Sequence, residues 1–72
     1  MEDAEDKNLT PIENILAKLN YFSTKAYFIT YEGWRNLWLP QSIVHNKIDK
    51  SNTEEEQVFS VEYWFVEKNE LY

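Results

Sequence analysis

Thr10-Pro11-Ile12-Glu13-Asn14-Ile15-Leu16-Ala17-Lys18-Leu19-Asn20 is the stretch on which the fold turns. A threonine can accept the orphan N–H groups of a helix start, proline suits the first turn, and Glu13, three residues on, completes a capping box. Ile12, Ile15, Leu16 and Leu19 then recur at i, i+3, i+4 and i+7, while Glu13, Asn14, Lys18 and Asn20 fall on the opposite side. The spacing predicts a helix over 10–20, ending near Asn20 to Phe22.

Upstream, residues 1–8 hold four carboxylates and one lysine without apolar periodicity, the pattern of an acidic flexible tail. Residues 9–72 remain as a single domain. Downstream, the period changes to two in Ala26-Tyr27-Phe28-Ile29-Thr30-Tyr31 and again in Trp34-Arg35-Asn36-Leu37-Trp38-Leu39, with the chain's only glycine between them in Glu32-Gly33. This is a hairpin, and Pro40 ends its second strand or marks an edge. Ile43 to Ile48 has the branched residues of a third strand, Asp49 to Glu56 has nothing to bury and reads as a loop, and Val58 to Val61 suits a fourth strand. From Glu62 to Asn69 the sequence fits a short helix that docks Trp64 and Phe65, or else a continuous strand over 57–66. The expected class is α+β: the N-terminal helix packed on a three- to four-stranded antiparallel sheet, with a short C-terminal helix.

The 72 residues include four Phe, five Tyr and three Trp. A chain this short buries only about 60% of the surface its unfolded form exposes, so aromatic rings must supply much of the core. With no cysteine there is no disulfide framework, which points to a reducing, cytoplasmic setting. No apolar run approaches the roughly 20 residues of a membrane span, and the N-terminus lacks the basic region of a signal peptide. Thirteen acidic against seven basic side chains give a net charge of −6, with the cations dispersed along the chain, an arrangement that repels phosphate.

The segment Trp38-Leu39-Pro40-Gln41-Ser42, an acidic loop, a short apolar strand and then Trp64-Phe65-Val66-Glu67-Lys68-Asn69-Glu70-Leu71 follow one another over residues 25–72. This order resembles that of small uncharacterised proteins encoded by phages and mobile elements, which carry a Trp-aliphatic-Pro-basic-Ser segment and a closing tryptophan segment ending Glu-Lys-x-Gly-Leu. Gln41 replaces the basic residue, and Glu70 stands where the glycine would end the helix, which leaves Asn69 as the expected left-handed cap. The resemblance implies an α+β fold and a phage or mobile-element origin, and carries no activity.

Catalytic equipment is missing. His45 is the only imidazole, too few for a three-ligand zinc site, and it reads as a surface or half-buried side chain. Asp3, Glu5 and Asp6, or Glu54, Glu55 and Glu56, lack the glycine turn and oxygen spacing of a calcium loop. One glycine cannot build a phosphate cradle or a nucleophile elbow. No enzymatic activity, cofactor or metal is expected. Tyr27, Tyr31, Trp34 and Trp38 could share a sheet surface that stacks nucleic-acid bases, but both faces of the sheet are expected to be covered, Phe28 by the helix stripe and Ile29 by the Trp64 segment. The expected function is binding of a basic protein partner, with Trp34, Trp38, Glu54, Glu55 and Glu56 as partner-binding residues, as an accessory protein or as an inhibitor whose carboxylates mimic DNA phosphates. A homodimer through an edge strand belongs to the same class, and a single-stranded nucleic-acid module is the alternative.

Overall fold

The computed structural model describes residues 11–71, so the tail over residues 1–8 and the Thr10 cap lie outside the described residues. The elements are β1 (Ile12–Phe22), β2 (Ala26–Tyr31), β3 (Arg35–Pro40), a single 3-10 turn (Gln41–Ile43), β4 (Glu56–Glu62) and α1 (Tyr63–Asn69). The strands form one sheet in the order β3-β2-β1-β4, with every pairing antiparallel.

The expected N-terminal helix over 10–20 is absent; its residues form the longest strand, central to the sheet. Ile15, Ala17 and Leu19 alternate inward and are buried, while Leu16 points to the opposite side and is exposed. Period two wins because β1 pairs on both flanks, with Ile12↔Glu62 through Lys18↔Glu56 on β4 and Ala17↔Tyr31 through Phe22↔Tyr27 on β2. Its ladder gains hydrogen bonds along nearly the whole length, whereas an isolated 11-residue helix is marginal in water.

β2 and β3 form the hairpin expected from sequence, with Glu32 (φ 56°) and Gly33 (φ 81°) both in the left-handed region that a type I′ turn requires. Ile43 to Ile48 is not a third strand. Its first residue closes the 3-10 turn, and the segment meets the edge of β4 without forming a strand, through one bridge from Val44 to Val61 and the His45 and Asn46 contacts with Val58 and Ser60. A continuous strand over 57–66 is likewise excluded, because β4 ends at Glu62 and Tyr63 begins α1. The left-handed cap is Glu70 (φ 57°, ψ 52°) and not Asn69; Leu71 N–H donates to the Val66 carbonyl at 2.9 Å, in a Schellman closure.

One face of the sheet carries the core. Leu19, Ile29, Leu39, Phe59 and Val61 project from the four strands onto that side, and Phe65, Val66 and Leu71 from the helical end, with Ile43 and Ile48 from the connection, cover it. Each such side chain is worth roughly 1.5–3 kcal/mol of burial. Arg35 fastens the helix to the hairpin by donating to the carbonyls of Asn69 (2.6 Å) and Glu70 (3.2 Å), and the Tyr31 hydroxyl donates to the Leu71 carbonyl at 3.0 Å. No element among the described residues packs on the other face.

Candidate functional site

The uncovered face is organised in cross-strand rows. Alternation places Ile12, Asn14, Leu16 and Lys18 of β1 on it, opposite Glu62, Ser60, Val58 and Glu56 of β4. The register with β2 then shifts between Leu19↔Ile29 and Tyr21↔Phe28, so Asn20 is an extra residue, a β-bulge. Without it Tyr21 would share the core side of Leu19. With it, Tyr21 joins Phe28 and Trp38 in one row on the open face.

These three rings touch. Tyr21 and Phe28 stack at a centroid distance of 5.1 Å, Phe28 and Trp38 lie 4.8 Å apart and tilted, and Trp38 meets Tyr21 edge-on at 5.7 Å. Tyr21 and Trp38 nonetheless keep 54% and 51% of their surface accessible. Beside the rings a polar row is closed upon itself: the Asn20 amide donates to Thr30 Oγ1 (2.7 Å), and the Thr30 hydroxyl donates to Asn36 Oδ1 (2.9 Å). Beyond it Leu16 and Val58 form a second apolar patch, 54% and 45% exposed. At its outer side Trp38 also lines a cleft of about 250 Å³ with Pro40, Trp64 and Lys68, which links the open face to α1.

Of the partner-binding residues expected from sequence, only Trp38 sits in this cluster. Trp34 projects from the hairpin turn, 72% exposed, with the Arg35 guanidinium 5.8 Å from its ring centroid. Glu54 and Glu55 are exposed on the loop before β4, where their N–H groups bond Asn52 Oδ1, and Glu56 opens β4 opposite Lys18. Tyr27 and Tyr31 do not share a surface with Trp38, since they face the core side. Nor is Phe28 covered by a helix, because the helix expected there is β1. Tyr21 and Phe28 were missed as site residues. The missing signal was the bulge, which reverses the side of every β1 residue after it and leaves no mark in composition.

His45 is exposed and lies against Glu62, Nε2 to Oε2 at 3.0 Å, while the Trp64 indole N–H donates to Glu62 Oε1 at 2.7 Å. Those two contacts, the indole first and the imidazole second, hold the Glu62 carboxyl below the ordinary glutamate range. The Tyr31 phenol is pushed up, chiefly by loss of solvent and then by the neighbouring Glu32 charge. Asp49 is pulled down by the Ser51 hydroxyl and N–H that bond it.

Among the described residues no group of three or more His, Cys, Asp or Glu side chains converges to hold a metal ion, and no helix is long and apolar enough to cross a membrane. The one imidazole–carboxylate pair has no serine, threonine or tyrosine hydroxyl bonded to it. What the geometry offers is an apolar and aromatic surface on a rigid sheet. Comparisons with protein-family models, with curated proteins and with solved structures give no match for the chain.

Proposed function

We propose that the chain is a non-enzymatic binding protein whose open sheet face docks on a protein partner, with the row Tyr21–Phe28–Trp38 as its anchor. The observation that carries this reading is a cluster of three touching aromatic rings, Tyr21 and Trp38 exposed and Phe28 half-buried between them, on a face that nothing among the described residues covers. Water-exposed rings on a stiff scaffold are what interface hot spots are made of, and contiguous exposed apolar surface on a small protein marks an interaction site. Leu16 and Val58 extend the patch along the face. The net charge of −6, with Glu54, Glu55 and Glu56 at the β4 border, favours a basic partner and steers its approach. A regulatory binder of this kind fits the resemblance to phage and mobile-element proteins.

A second reading, single-stranded nucleic acid stacked on the same rings, draws on Lys18 in the adjoining row and Lys68 beside Trp38. The mutual packing of the rings counts against it, since rings turned toward each other offer fewer free faces to bases. The discriminating experiment pairs capture of host proteins on the immobilised chain with a mobility shift of single-stranded DNA. The Tyr21→Ala/Trp38→Ala double variant should stay folded, melting several degrees below the parent as its ring contacts are lost, and lose the captured partner. A shift of DNA at micromolar protein, lost in the same variant and with no protein captured, reverses the choice.

A further inference from the structure

We propose that the uncovered edge of β1 at Ile12 to Leu16 accepts an extended, lysine- or arginine-bearing segment of the protein partner as a fifth strand; this rests on the reading of the chain as a protein-binding module.

The edge follows from the unequal lengths of the strands. β2 ends at Tyr31, opposite Ala17, whereas β4 continues beside β1 as far as Ile12. Among the described residues, 12–16 therefore have a neighbour on one flank only. In an antiparallel ladder alternate residues send both N–H and C=O to the same side. The Tyr63 N–H donates to the Pro11 carbonyl at 2.8 Å, which assigns Pro11, Glu13, Ile15 and Ala17 to the β4 side. Ile12, Asn14 and Leu16 then aim their N–H and C=O groups away from β4. Lys18, next in that series, meets Thr30 of β2 as this assignment requires. Among the described residues nothing pairs with the three before it. A cleft of about 440 Å³ runs along them, bordered by Tyr31, Leu71 and Leu16 as apolar walls.

The other two edges of the sheet are blunted. Asn46 occupies the outer side of β4 with its side-chain amide, bonding the Ser60 N–H and the Val58 carbonyl. On β3 the outward series is Asn36, Trp38 and Pro40, since Gln41 N–H donates inward to Lys25, and the proline has no N–H to offer. On β3 the outward row is cut short by the proline after Asn36 and Trp38, whereas the β1 segment keeps an unbroken row of three donors and three acceptors suited to strand addition.

Charge selects the occupant. Glu13, Glu32 and Glu56 border the cleft, and no lysine or arginine does. A second copy would bring its own Glu13 and an overall charge of −6 to the same place, so self-pairing is disfavoured. A segment alternating cationic with apolar residues would set its cations against the carboxylates and its apolar residues toward Leu16 or Leu71.

The test uses the full chain, labelled for amide NMR, and three synthetic ten-residue peptides: alternating Lys and Val, alternating Glu and Val, and the Lys/Val peptide with two alternate residues replaced by proline. Before any peptide is added, the amides of Asn14 and Leu16 should exchange with solvent far faster than those of Glu13 and Ile15. The Lys/Val peptide should shift and protect Ile12, Asn14 and Leu16, with the Glu/Val and proline peptides about tenfold weaker. Glu13→Gln with Glu32→Gln, both exposed side chains, should weaken the basic peptide several-fold without changing the melt. Equal binding of the acidic peptide, shifts centred on Tyr21 and Trp38, or free-state protection of Asn14 and Leu16 would each overturn the proposal. A flat titration beside partner capture that depends on Tyr21 and Trp38 sinks the edge and spares the open face. A saturable edge titration beside capture indifferent to those rings supports the edge and sinks the open-face reading.

Discussion

The side-chain amide of Asn46 stands in for a missing strand beside Ser60: its Oδ1 accepts the Ser60 N–H at 2.9 Å, and its Nδ2 donates to the Val58 carbonyl two residues away at 3.0 Å. A single planar amide thus satisfies a donor and an acceptor of the β4 edge, in the spacing a neighbouring backbone would use. Together with the His45 N–H on the Ser60 carbonyl (2.7 Å), it closes that edge without a strand. Asn46→Ala leaves both backbone groups without these partners, and the expected loss is about 1–2 kcal/mol in a urea melt. Light scattering should show the variant self-associating at concentrations where the parent stays monodisperse.

Phe65 and Trp64 are neighbours with opposite duties. Phe65 is 5% exposed within the core, while Trp64 is 45% exposed and tied by its indole to Glu62. Phe65→Ala should cost about 3–5 kcal/mol, as large aromatic truncations in cores do. Trp64→Ala should cost about 1 kcal/mol, the scale of a lost hydrogen bond to an exposed group. Chemical denaturation of the two variants side by side checks the order.

The contrast between β1 and the hairpin shows what the sequence discloses. Residues four apart, such as Ile15 and Leu19, share a face in a helix and in a strand alike, so the stripe Ile12-Ile15-Leu16-Leu19 satisfied the helical template. The residue that separates the two periods is Ala17, fully buried between Ile15 and Leu19, and a small side chain gives little signal. The hairpin was legible because Tyr27, Ile29, Leu37 and Leu39 alternate as large apolar residues around Glu32-Gly33. At the C-terminal end, Val61, Trp64 and Phe65 recur at helical spacing while Val, Phe, Tyr and Trp equally suit a strand, so sequence left both open; the structure ends β4 at Glu62 and begins α1 at Tyr63. The candidate site was legible only in Trp38. Its partners depend on the bulge at Asn20, a tertiary feature held by the Asn20–Thr30 hydrogen bond.

Two glutamates sit where the backbone favours glycine or asparagine. Glu70 has φ 57° at the end of α1, and Glu32 has φ 56° in the hairpin turn. A non-glycine residue in the left-handed region carries a cost of about 1 kcal/mol or more, of which glycine recovers part after its own unfolded-state entropy is counted. Glu70→Gly and Glu32→Asn should each stabilise the fold by about 0.5–1 kcal/mol, raising the melting temperature by a few degrees. Calorimetry of each variant measures the gain, and the double variant reads the coupling between the two turns, since Arg35 and Tyr31 beside the hairpin turn donate to the Glu70 and Leu71 carbonyls.

Acid should loosen the contact between β4 and the start of α1. The Glu62 carboxylate accepts the Trp64 indole N–H and faces His45 Nε2, and both contacts favour its ionised form, holding its pKa below the ordinary 4.5. A carboxyl depressed in the folded state contributes stability that is present above its unfolded pKa and is lost as pH falls through the folded value, because the unfolded chain takes up the proton first. The urea midpoint of the parent should therefore fall as pH drops through the ordinary glutamate range and below it. Glu62→Gln has no charge to lose there. Its amide oxygen can still take the indole and its NH2 can face the imidazole only as a donor, so both contacts lose the carboxylate charge, and the variant should be less stable than the parent at neutral pH and flatter against acid. Asp49, depressed by Ser51, remains in both proteins and supplies a common residual slope of the same sign. Trp64 emission followed through the same titration should shift in the parent as the indole loses its ionised acceptor, and stay level in Glu62→Gln. Parallel midpoint curves for the two proteins would remove Glu62 from the acid response.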